Sequence, residues 1–428
     1  MTSEAELTPS KISWRTWVTS VCFALAFASM ASAEDWRLWR GPTLDNHAPA
    51  SAADAVPLSW SKSENVAWMS PIPGKGHATP IVVDNGIFVL THEASDRTIS
   101  LLRFNLADGK PSGKVVLHRN VTPPNYLHKK NTCASGTPSS DGSAIYVAVQ
   151  YNETIAASAI STKGKLLWQQ KVAPYRAGRG WFGYGSSPLL LDRSVIVPVD
   201  TDNSDGGLFA LDKKNGRVRW RSKRPLTTSY SSPILAEIQG RPQILLSGGN
   251  QTAAYDPDNG KQLWRVNATS RTTCATMVWN DEMAFASGSY PDPGTFGIKV
   301  GPQGASIAWE NRVKCYEQSM LLVGDYLYGI ADSGVAYCWR ASDGTEMWKN
   351  RLKGPFSASP LLIGDRIYAS NERGTTYVFR ASSAGYEKLS ENVMDDTSFA
   401  SPIYAHGRMI LRHALDKGRN RQEYLVSI

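Results

Sequence analysis

Short apolar runs alternate with small or polar residues along most of the chain, and Gly, Asp and Asn separate one run from the next. In the segment that begins at Ser359, candidate strands at 360–363, 366–369 and 375–380 are separated by short turns, the first of them at Gly364. Period-two alternation, β-branched and aromatic enrichment, and repeated Asx-Gly pairs are typical of antiparallel strands. The pattern therefore predicts an all-β protein built from hairpins.

Units of this kind, each interpreted as four strands, are repeated along the chain. A Ser or Thr followed by Pro or Met precedes the first apolar run of each copy, at spacings of 58, 50, 45, 44, 43, 40 and 42 residues. We call each such Ser or Thr, together with the Pro or Met that follows it, a hydroxyl pair. The eight hydroxyl pairs are Thr79-Pro80, Thr137-Pro138, Ser187-Pro188, Ser232-Pro233, Thr276-Met277, Ser319-Met320, Ser359-Pro360 and Ser401-Pro402. A period of 40–50 residues with four strands in each copy is typical of a β-propeller blade, so we predict eight blades.

Tryptophans mark the outer strands of the predicted blades. Trp220, for example, lies 13 residues before Pro233. The last pair, Ser401-Pro402, is followed by only 26 residues, which is enough for three strands. Trp68 lies 12 residues before Pro80, so we predict that an N-terminal strand around it completes the C-terminal blade and closes the ring. The tryptophans expected to dock one blade on the next are Trp68, Trp168, Trp220, Trp264, Trp309 and Trp348.

These features resemble the PQQ-repeat, quinoprotein-like β-propeller family. The family's docking pattern A-x-D-x-x-T-G-x-x-x-W is matched from Ala210 to Trp220 and from Ala254 to Trp264, with Asn in place of Thr. Residues 35–42, with the sequence DWRLWRGP, resemble the mature N terminus of exported propellers from planctomycete-type bacteria. The resemblance covers nearly all of the predicted mature chain. It implies an architecture similar to the outer-membrane barrel-assembly lipoprotein.

The N terminus has the features of a secretory signal. Lys11 and Arg15 precede an apolar run over residues 17–30, and Ala31-Ser32-Ala33 is an A-x-A cleavage site. The apolar run is short for a transmembrane span. We therefore expect cleavage before Glu34, a periplasmic or secreted location, and no membrane anchor in the mature protein.

Three segments are expected: a signal peptide at 1–33, an irregular segment at 34–65, and a single propeller at 66–428, acting as a monomer. The chain has 428 residues, and its 46 Lys and Arg against 38 Asp and Glu give a formal net charge of +8. This excess is modest and dispersed, and an exported protein is not expected to bind nucleic acid. Apolar residues make up 42% of the chain, which is enough for a sizeable core.

The residues just before each hydroxyl pair are expected at the central mouth of the ring, where loops from all blades converge. Many are aromatic or polar, which suits a sugar ring, a peptide or a flat ligand; alternatively, they pack the inner strands. Two longer loops, at 122–130 and 175–181, add basic and aromatic residues. The candidate ligand-binding residues are His77, Cys133, Trp181, Tyr184, Tyr230, Cys274, Tyr316, Glu317, Phe356 and Phe399.

The family resemblance also raises the cofactor PQQ with Ca²⁺. Quinoprotein dehydrogenases of this fold typically carry an adjacent Cys-Cys disulfide beneath the quinone, and this sequence has no adjacent cysteines. The family's Ca²⁺ ligands and catalytic Asp match no position, and the histidines have no metal-ligand spacing. The sequence thus favours a non-catalytic propeller that binds a protein or glycan partner at the cell envelope, with no assigned catalytic or metal-binding residue. The alternative is a PQQ-dependent oxidoreductase that uses the central mouth.

Two local features add smaller hypotheses. The acidic segment from Asp200 to Gly206 resembles a Ca²⁺ loop but lacks the downstream Glu of an EF-hand, so a solvated hairpin turn is expected. Cys274 and Cys315 precede neighbouring inner strands. If a disulfide forms, this is the expected pair.

Overall fold

The computed structural model describes residues 35–124, 127–175, 182–288, 290–394, 397–417 and 420–428. These residues form eight antiparallel four-stranded sheets, one of which gains a fifth, parallel strand, arranged as the blades of a β-propeller. The predicted fold class is therefore confirmed. The predicted signal peptide at 1–33 lies outside the described residues. Within the described part of the chain, no helix is long and apolar enough to cross a membrane.

Four strands that follow one another along the chain build each of the first seven blades. Blades 1 to 4 comprise Ile81–Val83, Gly86–Glu93, Thr98–Asn105 and Pro111–His118; Ser139–Ser140, Ala144–Tyr151, Thr154–Ser161 and Leu166–Pro174; Leu189–Leu190, Ser194–Val199, Gly207–Asp212 and Val218–Ser222; and Ile234–Ile238, Arg241–Ser247, Thr252–Tyr255 and Gln262–Val266. Blades 5 to 7 comprise Val278–Trp279, Met283–Gly288, Gly294–Gly301 and Gly304–Asn311; Leu321–Val323, Tyr326–Ile330, Val335–Arg340 and Glu346–Arg351; and Leu361–Ile363, Arg366–Ser370, Thr375–Arg380 and Lys388–Val393. Blade 8 comprises Ile403–Ala405, Arg408–Lys417, Asn420–Ser427 and the N-terminal strand Trp68–Ile72.

In each blade the strand after the hydroxyl pair is the innermost, and the others follow outward. The loops that lead into the hydroxyl pairs lie on one face of the ring, which we call the mouth face. The turns between the inner and second strands lie on the opposite face, the base face. Buried apolar residues from neighbouring blades form shared cores between the sheets.

The hydroxyl pairs tie neighbouring blades together. The backbone N–H of Thr137 donates to Oγ of Ser187 at 2.9 Å, and that of Ser187 donates to Oγ of Ser232 at 2.9 Å. The same bond, from the backbone of one blade to the hydroxyl of the next, is present at seven of the eight junctions of the described ring. A Ser or Thr recurs at this position because it satisfies a buried backbone donor.

Tryptophans on the outer strands dock on glycines of the next blade. The indole of Trp168 donates to the carbonyl of Lys213 at 2.7 Å and lies over Gly216. A Cβ atom on Gly216 would lie 2.6 Å from the Trp168 ring, and the backbone φ of +71° also favours glycine. The same stacking on a glycine of the next blade is made by Trp68 on Gly109, Trp220 on Gly260 and Trp309 on Gly344.

The remaining two predicted docking tryptophans make different contacts. Trp348 donates to the carbonyl of Ser382 at 2.7 Å and packs edge-on against Tyr386 of the next blade. Trp264 donates to Oε1 of Gln243 in its own blade at 2.6 Å. The six side chains also differ in burial. Trp168, Trp264 and Trp309 are buried, whereas Trp68, Trp220 and Trp348 are half-buried.

An N-terminal strand closes the ring, as predicted. Trp68–Ile72 pairs antiparallel with the last strand, with Trp68 opposite Ser427 and Ile72 opposite Glu423. This strand covers the outer edge of a blade whose other three strands are C-terminal. The seam between the chain ends is therefore a continuous sheet.

The segment expected to be irregular follows the inner strands at the base of the ring. It contains the strand His47–Ala48, which pairs parallel with the inner strand of blade 7, and the 3-10 helix Ala50–Asp54. Trp36 bridges Val82 of blade 1. The side chain of Arg40 is fully buried and donates to the carbonyl of Met320 in blade 6 at 2.8 Å. The N-terminal segment thus contacts blades on several sides of the central channel.

Candidate functional site at the mouth of the ring

A cavity of about 260 Å³ lies at the mouth face, where loops from the whole ring converge. This mouth cavity is lined by Trp39, His77, Thr79, His128, Lys130, Asn131, Ser135, Thr137, Phe182, Gly185, Ser187, Tyr230, Ser232, Cys274, Tyr290, Tyr316, Glu317, Ser357, Ser359, Phe399 and Ser401. The inner hydroxyls of the blades form part of its wall. Trp39 comes from the N-terminal segment at the base, and its indole donates to Oγ1 of Thr276 at 2.8 Å, so it forms the floor.

Of the ten candidate residues, six line the mouth cavity: His77, Tyr230, Cys274, Tyr316, Glu317 and Phe399. Three others are buried between strands. Cys133 packs in the core between blades 1 and 2, and Phe356 packs against Tyr377. The hydroxyl of Tyr184 donates to the carbonyl of Pro198 at 3.1 Å. Trp181 lies outside the described residues. Cys133, Tyr184 and Phe356 therefore follow the alternative stated above, in which residues before a hydroxyl pair pack the inner strands.

Aromatic rings form one wall of the mouth cavity. His77 stacks on Phe399 with ring centroids 4.4 Å apart, which joins the loops before blades 1 and 8. Phe182 packs edge-on against Tyr230 at 5.8 Å and against His128 at 4.9 Å. Edge-to-face and offset contacts of this kind fix the rings in place. The wall is therefore preformed for an apolar or planar group.

A charged cluster crosses the mouth cavity. Nζ of Lys130, on the loop between blades 1 and 2, lies 2.6 Å from Oε1 of Glu372 and 3.2 Å from Oε2 of Glu317. Ser357 donates to Oε1 of Glu372 at 2.7 Å and also contacts Glu317. The two carboxylates come from blade 7 and from the loop before blade 6. One ammonium group thus bridges opposite sides of the ring.

Burial opposes the charged forms of Glu317 and Lys130. It raises the pKa of Glu317, although Lys130 and Ser357 act in the other direction. Burial alone would lower the pKa of Lys130, but Glu317 and Glu372 outweigh it and raise that pKa above its usual value. The ammonium is therefore held in its charged form by two acidic neighbours.

His77, one of two histidines that line the mouth cavity, is held in its neutral form by its surroundings. Burial lowers the pKa of His77 well below its usual value, and the nearby Arg421 and Lys75 lower it further. Nδ1 of His77 lies 3.1 Å from the carbonyl oxygen of Lys130, so Nδ1 carries the proton and donates it. Nε2 is then an acceptor. It is buried and has no hydrogen-bond partner among the residues that the structure describes.

The hypothesis of a Cys274–Cys315 disulfide is wrong, because Cys133, Cys274, Cys315 and Cys338 are all free thiols. The thiol of Cys274 instead forms a hydrogen bond with Tyr316. Cys315 is fully buried, and burial raises the pKa of its thiol to about 12. Unreactive thiols of this kind act as small packing groups.

The acidic segment from Asp200 is a structural element. Asp200 accepts two hydrogen bonds from Arg224, at 2.9 and 2.7 Å, and both side chains are buried. Oδ1 of Asp202 accepts from the backbone N–H of Thr228 at 3.0 Å. The expected solvated turn is therefore wrong for Asp200, which is committed to an internal ion pair.

Several residues that line the mouth cavity, or contact its lining, were not among the candidates. Lys130 belongs to the longer loop already noted, but Glu372 lies on the turn between the second and third strands of blade 7, away from any hydroxyl pair. Trp39 belongs to the DWRLWRGP motif, whose position was not predicted. Tyr290 is 56% exposed at the rim. Loop length was the one available signal, and it identified only the position of Lys130.

The mouth cavity does not fit PQQ with Ca²⁺. PQQ carries three carboxyl groups, and here it would meet Glu317, which shares the ammonium of Lys130 with Glu372. Among the described residues, no group of three or more His, Cys, Asp or Glu side chains is placed to hold a metal ion. The adjacent cysteines implied by the family resemblance are missing from the sequence. We therefore derive no step through this cofactor.

Comparison with known structures supports the fold. BamB from Moraxella catarrhalis is 14% identical, with a TM-score of 0.59, and the match covers 84% of this chain and 96% of that one. Quinohemoprotein alcohol dehydrogenase from Comamonas testosteroni is 12% identical, with a TM-score of 0.64 and coverages of 94% and 81%. A europium-containing methanol dehydrogenase is 10% identical, with a TM-score of 0.60 and coverages of 92% and 98%. These likenesses concern the fold alone.

Comparison at the level of sequence families is more specific. A search of curated proteins found no match. A family model described as outer membrane protein assembly factor BamB matches residues 110–289 and 298–386, which together are more than half of the chain. With its eight four-stranded blades and recurring Trp–Gly docking, the chain belongs to the family of PQQ-repeat β-propellers described as outer membrane protein assembly factor BamB.

Proposed function

We propose that this protein is an exported, non-catalytic β-propeller of the cell envelope that receives a protein partner in its mouth cavity. The observation that carries the proposal is the cavity itself, which has a fixed aromatic wall and a charged cluster under an exposed rim. Preformed concave sites with a few convergent polar groups are the usual places of ligand binding. The proposed location, periplasmic or secreted, follows from the signal-like N terminus.

The rim of the cavity favours a protein over a glycan. Leu226 is 64% exposed on the loop that also carries Tyr230, and Tyr290 is 56% exposed. The carbonyl of Thr228, on the same loop as Leu226, accepts from Oγ1 of Thr272, and Thr272 in turn forms a β-bridge with Tyr290. Exposed apolar side chains are common singly, but next to a concave site they favour contact with an apolar segment of another chain. The family description, which names an assembly factor, supports the same choice.

The proposal is tested by photo-crosslinking in cells. A benzoylphenylalanine at position 290 should give a discrete adduct with an envelope protein, and Phe399→Ala, which removes one ring of the aromatic wall, should weaken it. The matched control is position 166. Leu166 is 43% exposed but lies on the outer strand of blade 2, away from the mouth. Identical adducts from both positions, or an adduct that is indifferent to Phe399→Ala, would contradict a mouth-cavity partner.

The competing enzymatic function needs its own measurement. The purified mature protein is mixed with PQQ and Ca²⁺ and assayed for dye-linked oxidation of alcohols. We expect no turnover above that of the same mixture without protein. Robust turnover that depends on the protein would overturn the non-catalytic assignment.

A further inference from the structure

Lys130 occupies the mouth cavity in the way a basic residue of a ligand would. Its carbonyl accepts from Nδ1 of His77 at 3.1 Å, while its ammonium lies 2.6 Å from Glu372 and 3.2 Å from Glu317. One residue therefore joins the neutral histidine at one side of the cavity to the carboxylates at the other. The distance between the two sides is matched by the length of a lysine side chain.

Resting on the proposed function, we infer that the mouth cavity recognises a basic side chain of the partner, an ammonium or guanidinium on an extended stem, and that Lys130 is its internal competitor. The partner's cation would take the position between Glu317 and Glu372. The side chain of Lys130 would then move out of the cavity. Binding would thus exchange one half-buried cation for another.

The charges around the cavity favour this class of ligand. Two carboxylates share one ammonium, and Ser357 adds a hydroxyl 3.3 Å from Nζ of Lys130. Desolvated carboxylates interact strongly with a cation that replaces their water. Removing Lys130 without replacement would leave two half-buried carboxylates close together without their shared cation. An anionic ligand would meet repulsion at this side.

The histidine side of the cavity provides a second, independent preference. Nε2 of His77 is a buried acceptor without a partner in the described structure, so it requires an N–H or O–H donor. Lys75 and Arg421 lie close enough to His77 to lower its pKa, and they disfavour a second cation there. A ligand with a neutral amide N–H next to a basic side chain would donate to Nε2 of His77 and place its cation at the carboxylates of Glu317 and Glu372. This combination is found in a peptide and is absent from a simple amine.

The aromatic lining suits the stem and the charge of such a side chain. Tyr316 lines the cavity, and Nζ of Lys314 already lies 5.0 Å from the centroid of its ring. Tyr230 and Phe399 add two further aromatic rings to the lining of the cavity. Cations are attracted to aromatic faces, and their methylene stems pack on the same surfaces.

The inference is tested by titrating the full mature protein with three capped amino acids. N-acetyl-lysine amide and N-acetyl-arginine amide carry the cation, and N-acetyl-norleucine amide has a similar stem without charge. Calorimetry should show tighter binding of the two cationic probes. Lys130→Met keeps the stem but removes the competitor, and it should tighten their binding by about tenfold. Adding Glu317→Gln to Lys130→Met should reverse this gain.

Controls separate recognition from misfolding. Lys114→Met removes an ion pair with Glu93 on the outer part of blade 1, at 2.6 Å, and should leave probe binding unchanged. His77→Phe keeps a ring against Phe399 but removes the acceptor, and it should weaken both cationic probes. Each variant is checked for a native melting transition. Equal affinity for the norleucine probe, or no change on Lys130→Met in a folded protein, would overturn the inference.

The outcome is distinguishable from failure of the proposed function. If the position-290 adduct persists but the probes show no preference for a cation, the partner binds by other chemistry and the inference falls alone. If the cationic probes bind as expected but no adduct forms, the site is real and its ligand is a small cationic molecule. In that case the proposed protein partner is rejected.

Discussion

The backbone N–H of Ser401 donates to Oγ1 of Thr79 at 3.1 Å, and this bond joins the last blade to the first. Thr79 in turn donates its own backbone N–H to Oγ1 of Thr137 at 3.2 Å. At seven of the eight described junctions the hydroxyl serves the blade before it, and at the junction of Ser232 and Thr276 the hydroxyl of Thr276 accepts from the indole of Trp39 instead. Where the bond is present, it helps to fix the register of an inner strand against its neighbour.

Removing the hydroxyl at the closing junction should weaken the ring. Thr79→Val keeps the shape of the side chain but leaves the buried N–H of Ser401 without this acceptor, which typically costs about 1–3 kcal/mol. Denaturant unfolding should detect the loss. Thr79→Ser retains the hydroxyl and should be close to wild type. Equal stability of the Val and Ser variants would mean that the hydrogen bond does not contribute.

The ion pair of Asp200 and Arg224 yields a prediction about the acidic loop. Asp200→Asn leaves the buried guanidinium without its carboxylate and should lower the free energy of unfolding by about 3–5 kcal/mol. The control is Asp205→Asn, an exposed position in the same loop, which should have little effect. Millimolar Ca²⁺ should leave the melting temperature of the wild type unchanged. A marked stabilisation by Ca²⁺ would reinstate a metal-binding role for the loop.

The fold was predictable because its determinants recur. Ser401 and Trp68 each occupy a position already seen in other copies of the repeat, so spacing alone predicted ring closure. The docking contacts were only partly predictable. Gly216 and Trp220 belong to one motif, yet Gly216 receives Trp168 of the preceding blade. Spacing within one copy of the motif contains no information about which blade each residue faces.

The mouth cavity was less predictable for a physical reason. His77 and Tyr230 were identified because residues before a hydroxyl pair must pass the central mouth. Whether such a side chain points into the cavity or between blades depends on loop conformation. Phe356 points between the blades and packs in the core of blades 6 and 7. The contact of Lys130 with Glu372 joins loops that are distant in sequence. No local pattern in the sequence signals that contact.

Burial of His413 should make the stability of the protein depend on pH. The side chain is 1% exposed, neither ring nitrogen has a hydrogen-bond partner in the described chain, and burial lowers its pKa to about 4, with Lys62 adding to the effect. An unfolded histidine has a pKa of about 6.5, so between that pH and about 4 the unfolded state binds the extra proton. Stability contributed by neutral His413 is present above pH 6.5 and is lost as the pH falls.

From pH 7 to pH 5 this loss should amount to about 2 kcal/mol for one group. His413→Leu, studied by denaturant unfolding at both values, should lose correspondingly less than the wild type. His118, whose pKa burial also lowers to about 4, remains in both proteins and contributes equally. Parallel losses in wild type and variant would show that His413 does not titrate as the structure implies.

The seam at Trp68 provides the last prediction. A Cβ atom on Gly109 would lie 2.5 Å from Cε3 of Trp68, and its φ of +69° disfavours other residues, so Gly109→Ala should destabilise the protein. Gly113→Ala, where the added Cβ meets its nearest neighbour at an ordinary 3.5 Å, is the matched control. Trp68→Ala should lower stability by less than the roughly 3–5 kcal/mol of a fully buried tryptophan, because Trp68 is half-buried.

A double-mutant cycle then separates the contact from the backbone strain. With Trp68 already replaced by Ala, the clash of the added Cβ with the indole is gone, whereas its contact with Oγ of Ser70 and the strain of the positive φ remain. Gly109→Ala should therefore be less damaging than in the wild type, but still destabilising. Deleting residues 34–70 should have the largest effect, since it uncovers the edge of the strand Asn420–Ser427 and should produce aggregated protein. Additive effects of the two substitutions in denaturant unfolding, or a truncated chain that melts like the intact protein, would contradict closure of the ring through Trp68.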